Sequence, residues 1–468
     1  MATRIVIIGG GPAGYESALV GAARGAEVTV IDSDGIGGAA VLFDCVPSKT
    51  FIASTGMRTE LRRGPHLGFD IDIEAAKISL PEIHQRVKKL AADQSDDVKA
   101  QLLSAGVAVV AGKGELVDTT PGLATHRVRA SGPDGDASTY DADVVLIATG
   151  ASPRELPTAR PDGERILTWR QLYDLDALPE HLIVVGSGVT GAEFVHAYTE
   201  LGVDVTVVAS RDQILPYEDA DAAAVLERIF AERGVELVKN ARADSVTRTD
   251  TGVLVKLADG RTVEGSHALM TIGSVPNTGG LGLDRVGIEL GPGNYLTVDR
   301  VSRTSVSNIY AAGDCTGLLP LASVAAMQGR IAMWHALGEA VTPIRLRTVA
   351  AAVFTRPELA AVGVPQSAID DGSVQARTIM LPLRTNARAK MSGLRHGFVK
   401  LFCRPATGVV IGGVVVAPIA SELILPIAMA VQTRLTVNHL AQTLSVYPSL
   451  SGSITEAARR LMAHDDLD

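Results

Sequence analysis

The chain is poor in aromatic residues and in cysteine, and both shortages restrict its function. Phe, Trp and Tyr together make up 4% of the 468 residues. Proteins that bind single-stranded nucleic acid stack bases on aromatic side chains, so such a platform is not expected. Three cysteines, Cys45, Cys315 and Cys403, are too few and too scattered for a disulfide framework or a thiolate metal site. A reducing, cytoplasmic compartment is therefore expected.

The sequence also lacks metal-binding motifs and an excess of basic residues. The sequence contains neither an HExxH motif nor a Cys-x-x-Cys pair, so we expect no protein-ligated metal. Acidic residues outnumber basic ones by 52 to 43, and the net charge of −9 gives no general attraction for nucleic acid or anionic membranes. Small molecules are the expected ligands.

One long apolar stretch, residues 409–431, has a single charge at Glu422 and is long enough for a membrane span. Prolines and glycines interrupt it, which favours a strand over 409–416, a turn at Pro418 and a buried helix from Ser421. The apolar run near the N-terminus has four residues and is too short for a signal peptide. We expect neither a membrane span nor a targeting segment.

Glycine is abundant, and two glycine-rich segments share one plan. Residues 4–14 and 181–191 each consist of an apolar stretch, a GxGxxG motif and the start of a helical stretch. A second apolar strand follows each helix, over 27–32 and 204–209. Each copy is a complete βαβ unit, which is the pattern of a dinucleotide-binding fold. Two copies predict that the chain binds two dinucleotides.

Each glycine of the motif has its own physical role. The first makes a tight turn, the second lets the backbone approach a pyrophosphate, and the third lets the helix pack against the strand. The glycines are Gly9, Gly11 and Gly14 in the first copy and Gly186, Gly188 and Gly191 in the second. The N–H groups and dipole of the helix N-terminus favour the anion. Asp32 ends the second strand of the first copy, where a carboxylate accepts hydrogen bonds from a ribose.

Seven motifs follow one another along the chain. They are GGGPAG (9–14), GG…CVPSK (37–49), ATG (148–150), GSGVTGAE (186–193), IGSVPN (272–277), YAAGD (310–314) and YPSLS (447–451). In order and spacing they resemble those of the flavoprotein disulfide reductases, the family of lipoamide dehydrogenase and glutathione reductase. The resemblance implies an α/β fold: two Rossmann-like domains, for FAD and for NADH or NADPH, plus an α+β C-terminal dimerisation domain that forms a homodimer.

The domain boundaries follow from the repeat and the resemblance together. We expect residues 1–150 and 276–347 to form an interrupted FAD-binding domain. Residues 151–275 are then the inserted NAD(P)-binding domain, and residues 348–468 the interface domain.

The resemblance implies two sets of cofactor-binding residues. For FAD they are Gly9, Gly11, Pro12, Ala13, Gly14, Asp32, Gly38, Lys49, Gly114, Thr149, Gly150, Asp314 and Ala322. For the nicotinamide nucleotide they are Gly186, Gly188, Val189, Thr190, Gly191, Ser210, Arg211 and Gly273. Asp314 is expected to bind the flavin ribityl chain, and the backbone at Ala322 to lie beside the pyrimidine edge of the flavin.

Lys49 and Glu193 match the family's lysine beside flavin N5 and its ion-pair partner. The resemblance implies an electrostatic role in catalysis. Lys49 stabilises negative charge on the reduced flavin, and Glu193 holds the lysine in place despite burial. The alternative is a pair of solvated charges.

The thiol chemistry of the family is interrupted. Ala40 stands at the first position of the family's CxxxxC pair, and Tyr447 and Gly452 replace its C-terminal His-Glu pair. Dithiol substrates lose an attacking sulfur and a proton carrier together, so lipoamide dehydrogenase and glutathione reductase activities are not expected. For Tyr447, a buried structural hydroxyl is favoured over catalysis, with substrate contact as the alternative.

Cys45 stands at the predicted start of a helix, with Lys49 one turn later, a setting that favours the thiolate, whereas Asp44 disfavours it. A catalytic role, a thiolate contact to the flavin and inert packing all stay open. Cys315 and Cys403 are expected to be packing cysteines.

Signals for the choice of nucleotide are mixed. Ser210 and Arg211 follow the second strand of the second repeat, where an NAD site favours an acid and where Arg or Ser suits a 2′-phosphate. Against this, Gly191 stands where NADP-selective relatives often have alanine, and Ser274 replaces the arginine of the family's GRxPN motif. We expect use of both nucleotides, with a preference for NADPH.

These features predict an FAD-dependent NAD(P)H:quinone oxidoreductase with a ping-pong cycle. Without the disulfide, electrons have to leave to a diffusible acceptor, and the apolar segment 39–44 suits a flat, weakly polar one such as a quinone. The same departure, with GGAAV and YPSLSGS, resembles the actinobacterial NAD(P)H:quinone reductase branch. The alternatives are pyridine nucleotide transhydrogenation and a redox-sensing or partner-binding flavoprotein.

Overall fold

The computed structural model describes residues 2–70, 72, 76–119, 125–132 and 134–462. The chain divides into two compact units. Unit 1 contains Met1–Thr50, His84–Arg154 and Gly273–Ile344, and unit 2 contains Phe51–Ile83, Glu155–Ile272 and Arg345–Asp468. The domain boundaries expected from the sequence stay a prediction.

Helices and strands alternate in the first part of each glycine repeat. In the described part of the chain the α-helices are α1 (Pro12–Ala23), α2 (Gly38–Leu42), α3 (Cys45–Arg63), α4 (Leu80–Ser104), α5 (Val189–Glu200), α6 (Ala220–Glu232), α7 (Ala322–Ala336), α8 (Gln366–Asp370), α9 (Ala387–Met391), α10 (Ala420–Thr433), α11 (Val437–Gln442) and α12 (Gly452–Leu461). The strands are β1 (Arg4–Ile8), β2 (Glu27–Asp32), β3 (Ala108–Ala111), β4 (Lys113–Thr119), β5 (His126–Ser131), β6 (Ala137–Ala142), β7 (Val144–Ile147), β8 (Ala151–Pro153), β9 (Ile166–Leu167), β10 (His181–Val185), β11 (Asp204–Val208), β12 (Glu236–Val238), β13 (Ala243–Arg248), β14 (Val253–Leu257), β15 (Thr262–Gly265), β16 (His267–Met270), β17 (Ser274–Pro276), β18 (Ile309–Ala311), β19 (Ala350–Val353), β20 (Glu358–Gly363), β21 (Arg377–Pro382), β22 (Phe398–Cys403) and β23 (Val410–Ala417).

Unit 1 is built on a five-stranded parallel sheet with the order β3-β2-β1-β7-β18. Nearly all side chains of β1 and β7 are buried, as expected for strands covered on both faces. The strand order reverses direction at β1, because β2 lies on one side of it and β7 on the other. In such sheets ligands bind outside the carboxyl ends of the strands at this switch point, and the first glycine loop follows β1 there.

Unit 2 contains a second parallel sheet with the corresponding order β12-β11-β10-β16-β9. Strand β10 takes the place of β1, and α5 takes the place of α1. The fold prediction of two Rossmann-like domains is confirmed. Strands β8 and β17 of unit 1 pair as a two-stranded antiparallel ribbon. In the chain, β8 precedes the inserted segment and β17 follows it.

The C-terminal part of unit 2 is an antiparallel sheet with the order β19-β20-β23-β22-β21, whose core includes apolar side chains of α10 and α12. The apolar stretch 409–431 forms β23, a turn at Pro418 and α10, so the predicted strand and turn are confirmed. The prediction of a buried helix was wrong for the single chain, because α10 buries one face and leaves Leu425 and Met429 more than half exposed. In the described residues, no helix has the length and apolar character needed to span a membrane.

Candidate active site

The second glycine of each repeat lies over open space. Gly11 has φ −71° and ψ −173°, and Gly188 has φ −73° and ψ −172°, an extended conformation that any residue adopts. A Cβ added at Gly188 would meet no heavy atom within 4 Å, and at Gly11 the nearest would be 3.9 Å away. Neither backbone strain nor packing requires glycine here. The space left over each helix N-terminus fits a pyrophosphate.

The other glycines of the two motifs are required by packing. Gly9 and Gly186 have φ values of +111° and +113°, and a Cβ on either would lie within about 2.3 Å of the carbonyl oxygen that follows the neighbouring strand. A Cβ on Gly14 would lie 1.9 Å from the carbonyl oxygen of Gly9, and one on Gly191 would lie 2.3 Å from that of Gly186. The tight turn and the close contact of helix and strand account for these four residues.

Asp32 anchors the first glycine loop from the end of β2. Its Oδ2 atom accepts a hydrogen bond from the Gly10 N–H at 2.5 Å, and its Oδ1 atom accepts those of Asp34 and Gly35 at 2.8 and 2.6 Å. Burial raises the pKa of Asp32, and the three N–H donors oppose that rise. The side chain holds the loop in shape, and its contact with the adenosine ribose stays a prediction.

Segment 37–49 packs against the same loop. The Gly37 N–H donates to the Gly10 carbonyl at 2.8 Å, and a Cβ on Gly38 would lie 2.7 Å from the Gly11 Cα. Helices α2 and α3 follow directly, so Ala40 is carried by α2 and Cys45 begins α3. The predicted helix start at Cys45 is confirmed.

Asp314 lies just beyond β18, where it begins a 3-10 helix, Asp314–Thr316, and the preceding Gly313 lies near the start of α1. A Cβ on Gly313 would be 3.6 Å from the Ala13 Cβ, and the Gly313 N–H donates to the Oε1 atom of Gln328 at 2.9 Å. Burial first, and then the negative charge of Asp44, raise the pKa of Asp314 to about 6. A carboxyl group in such a setting gains from hydroxyl donors, which is the chemistry a ribityl chain offers.

Helix α7 begins at Ala322. The residue before it, Leu321, has no polar side-chain atom and makes no capping hydrogen bond. The first N–H groups of α7 are therefore available to a ligand carbonyl, as expected for the pyrimidine edge of a flavin. Thr149 and Gly150 lie in the short loop between β7 and β8. The Thr149 hydroxyl donates to the Asn277 carbonyl at 2.7 Å, and the Asn277 amide donates to the Thr149 carbonyl at 2.9 Å.

Gly114 has a packing role on β4. A Cβ there would lie 2.8 Å from Cγ2 of Ile8, so the glycine lets β4 approach the end of β1. Its predicted contact with FAD stays a prediction.

Glu193 is a buried carboxylate on α5, with 2% of its surface exposed. Its Oε1 atom accepts the Phe354 N–H at 2.9 Å, which fixes the side chain. Lys49 lies on the second turn of α3, with Nζ 3.3 Å from the Ser48 hydroxyl. Lys49 belongs to unit 1 and Glu193 to unit 2, and their ion pair stays a prediction.

The residues of unit 2 that are predicted to bind the nicotinamide nucleotide lie on the second glycine loop, at the start of α5 and directly after β11. Val189 and Thr190 form the first turn of α5. Ser210 and Arg211 are exposed and follow β11, the position of the second strand of the repeat. Gly273, in unit 1, has φ +93° and open space at its Cβ position. Their contacts with a nucleotide stay predictions.

No disulfide joins the three cysteines. Cys45 is half-buried, whereas Cys315 and Cys403 are buried. Burial raises the pKa of Cys315 to about 11 and also raises that of Cys403, so neither thiol is activated.

Tyr447 differs from the expectation of a buried structural hydroxyl. Its side chain is 85% exposed in the chain, and all of residues 442–447 are exposed. That interpretation was wrong for the single chain. Gly452, which replaces the family's glutamate, begins α12.

Sequence reasoning missed two residues that shape the site. Asn277 links the loop at Thr149 to the IGSVPN motif, and Gln328 orients Gly313 before Asp314. Asn277 stands in a motif that was recognised but had no assigned role. Gln328 lies inside a helix, and no local pattern marked it.

Two family models cover most of the chain. The pyridine nucleotide-disulphide oxidoreductase model matches residues 3–329, and the dimerisation domain of the same family matches residues 349–458. The chain therefore belongs to the pyridine nucleotide-disulphide oxidoreductase family. It is a flavoprotein oxidoreductase that uses FAD and NAD(P)H, and the predicted cofactors are confirmed.

Individual relatives extend over the same length. The chain is 81% identical to an NAD(P)H dehydrogenase (quinone) of Mycobacterium tuberculosis, over 100% of this chain and 96% of the relative. It is 31% identical to a dihydrolipoyl dehydrogenase of Chlorobaculum tepidum, over 97% of this chain and 96% of the relative. The crystal structure of LpdA from Mycobacterium tuberculosis matches with a TM-score of 0.95 and 80% identity, covering 99% of this chain and 100% of that one.

Proposed function

We propose that the chain is an NAD(P)H:quinone oxidoreductase that carries out NAD(P)H + H⁺ + quinone → NAD(P)⁺ + hydroquinone. The observation that carries the proposal is the pair of open glycine loops in a chain with Ala40 in place of the family's first cysteine. The relative with 81% identity is named for this reaction. When bound, FAD supplies the chemistry of accepting a hydride at N5 and returning two electrons to an acceptor.

The chain's own residues bind and orient the two nucleotides. The N-terminus of α1 and the loop at Gly11 receive the pyrophosphate of FAD, and Asp314 receives hydroxyl donors of its ribityl chain. The N-terminus of α5 and the loop at Gly188 receive the pyrophosphate of NAD(P)H. Lys49 supplies positive charge where negative charge develops during reduction.

The acceptor is proposed to lie against segment 39–44. Val41 is buried, whereas Ala40, Leu42 and Phe43 are half-buried and give this segment an apolar surface. A quinone ring is flat and weakly polar and suits such a surface better than a charged disulfide substrate does.

A homodimer is proposed from the dimerisation domain and from apolar side chains that the single chain leaves exposed. Leu444 is 98% exposed and Val446 is 77% exposed, and Leu425 and Met429 on α10 are each more than half exposed. Large apolar side chains exposed in a domain that a dimerisation model matches favour a protein interface there. Tyr447 lies within this surface, so the proposed dimer covers it. The cytoplasm remains the proposed compartment.

Cys45→Ser is expected to leave quinone reduction within about threefold of the wild-type rate, because hydride transfer and quinone reduction need no thiol. Steady-state oxidation of NADPH with a benzoquinone, a naphthoquinone or lipoamide measures this. The matched variant Ala40→Cys is expected to remain inactive with lipoamide, since Tyr447 and Gly452 still replace the proton carrier. Rapid lipoamide turnover that survives Cys45→Ser would contradict the proposal.

Arg211→Ala is expected to lower kcat/KM for NADPH by about tenfold and to leave kcat/KM for NADH nearly unchanged, because a guanidinium–phosphate contact is lost only for NADPH. Arg261→Ala is the control, since Arg261 is an exposed arginine that pairs with Asp259 on the β14–β15 turn. A wild-type preference for NADH above tenfold would overturn the role given to Arg211.

A further inference from the structure

A cavity of about 640 Å³ lies within unit 2, and its walls are basic. The end of α3, the ends of α5 and α6, and two loops near residues 356 and 395 form its walls. Its lining includes five arginines and two histidines: Arg62, Arg63, Arg233, Arg356, Arg395, His66 and His396. The chain as a whole is acidic, so this cluster of basic residues differs from its average composition.

The carboxylates at the cavity do not balance the arginines. Glu60 and Glu232 line it, and Glu200 lies behind its wall with no exposed surface. Five guanidinium groups against three carboxylates leave a net charge of +2 with both histidines neutral. Four of the five arginines are half-buried and Arg395 is exposed, so solvent ions screen this surplus only in part.

Glu200 holds two of the arginines in fixed positions. Its Oε2 atom lies 3.0 Å from Nη1 of Arg62, and its Oε1 atom lies 2.7 Å from Nη2 of Arg233. Each guanidinium has five N–H donors, so a shared carboxylate leaves donors on both groups. The two forks are therefore oriented before any ligand arrives, which lowers the entropic cost of binding.

A buried histidine reports the positive potential of the same cluster. Nδ1 of His196 accepts a hydrogen bond from Nη1 of Arg233 at 2.8 Å. Burial first, and then the charges of Arg233, Arg356 and Arg62, hold the pKa of His196 well below its ordinary value. The ring therefore accepts the hydrogen bond of Arg233 without adding positive charge to the cluster.

Three buried polar atoms on lining residues have no hydrogen-bond partner within the described chain. They are the hydroxyl oxygen of Thr59 and the Nε atoms of Arg63 and Arg356. Buried donors in folded proteins are almost always hydrogen-bonded. These atoms belong to residues that form the wall of the cavity, where the described chain supplies too few acceptors for its polar groups.

We propose that this cavity binds a small molecule that carries two or more phosphate groups. Guanidinium forks match phosphate oxygens in a bidentate geometry, and they come here from α3, from the end of α6 and from both loops. A volume of about 640 Å³ accommodates an organic ligand as well as its phosphates. The proposal is independent of the acceptor that the flavin reduces.

Isothermal titration calorimetry of the FAD-loaded protein with pyrophosphate, and separately with a sugar bisphosphate, tests this proposal. Saturating NAD⁺ is present throughout, so that the nucleotide site cannot take up the probe. We expect one molecule bound per chain, with a Kd that rises about tenfold or more in the double variant Arg63→Gln/Arg395→Gln, because charge-assisted hydrogen bonds are lost. Higher ionic strength is expected to weaken binding.

The control variant Arg261→Gln/Arg303→Gln removes the same charge from exposed arginines that pair with nearby aspartates outside the cavity. Retained FAD and an unchanged Tm establish that each variant is folded. If the double variant does not fold, the single variant Arg395→Gln is measured in its place. Equal affinity in the cavity and control variants overturns the proposal. Absence of binding of both probes to the wild-type protein overturns it as well.

Discussion

Gly11→Val is expected to abolish FAD binding while leaving the fold in place. The backbone at Gly11 is extended, and a Cβ there would meet nothing closer than 3.9 Å, so valine fits the free chain. Its methyl groups then occupy the space above the N-terminus of α1. Loss of two charge-assisted hydrogen bonds to a phosphate corresponds to an increase in the Kd for FAD of at least about 100-fold.

Gly188→Val is the matched change in the second repeat. The backbone conformation is nearly identical and the surrounding space is at least as open. This variant is expected to retain FAD but to lose about 100-fold in kcat/KM for both NADPH and NADH, because both carry the same pyrophosphate. Oxidation of its chemically reduced flavin by a quinone is expected to stay at the wild-type rate.

Flavin absorbance per chain and steady-state kinetics distinguish the two glycine variants. Circular dichroism of each variant checks that it is folded. Gly14→Ala serves as the contrasting change, since its Cβ would lie 1.9 Å from the Gly9 carbonyl oxygen and disrupts packing itself. Full FAD content in Gly11→Val would show that the open space above α1 is not the pyrophosphate site.

Lys49→Met is expected to slow reduction of the flavin by NADPH by about 100-fold while FAD remains bound. Removal of a fixed positive charge from the place where negative charge develops slows a reaction by about this factor. Methionine keeps the length of the side chain without the charge. The flavin is also expected to become harder to reduce, with a lower midpoint potential. Stopped-flow absorbance of the bound flavin and a redox titration measure the two effects.

Lys89→Met is the control for this variant. Lys89 is 71% exposed on α4 and pairs with Asp93 one turn away, so its removal changes net charge without touching the site. A wild-type rate of flavin reduction in Lys49→Met, with an unchanged potential, would contradict the electrostatic role of Lys49.

Local patterns were sufficient for the parts of the fold that depend on neighbouring residues. The apolar runs at 4–8 and 181–185 became the central strands of two parallel sheets, and the stretch 409–431 became β23 and α10. Strands, glycine turns and helix starts are governed by interactions within a few residues, which the order of amino acids records directly. Tyr447 was misjudged because its exposure depends on the packing of distant segments.

The sequence by itself determined that there are two glycine repeats, that alanine occupies position 40 and that tyrosine and glycine occupy positions 447 and 452, where the resemblance predicts a His-Glu pair. Only the tertiary structure decided that Gly11 and Gly188 lie over open space, that burial and Asp44 raise the pKa of Asp314, and that arginines from separate segments line one cavity. Open space, burial and charge surplus arise between residues far apart in the chain. No local pattern encodes them, because folding alone brings those residues together.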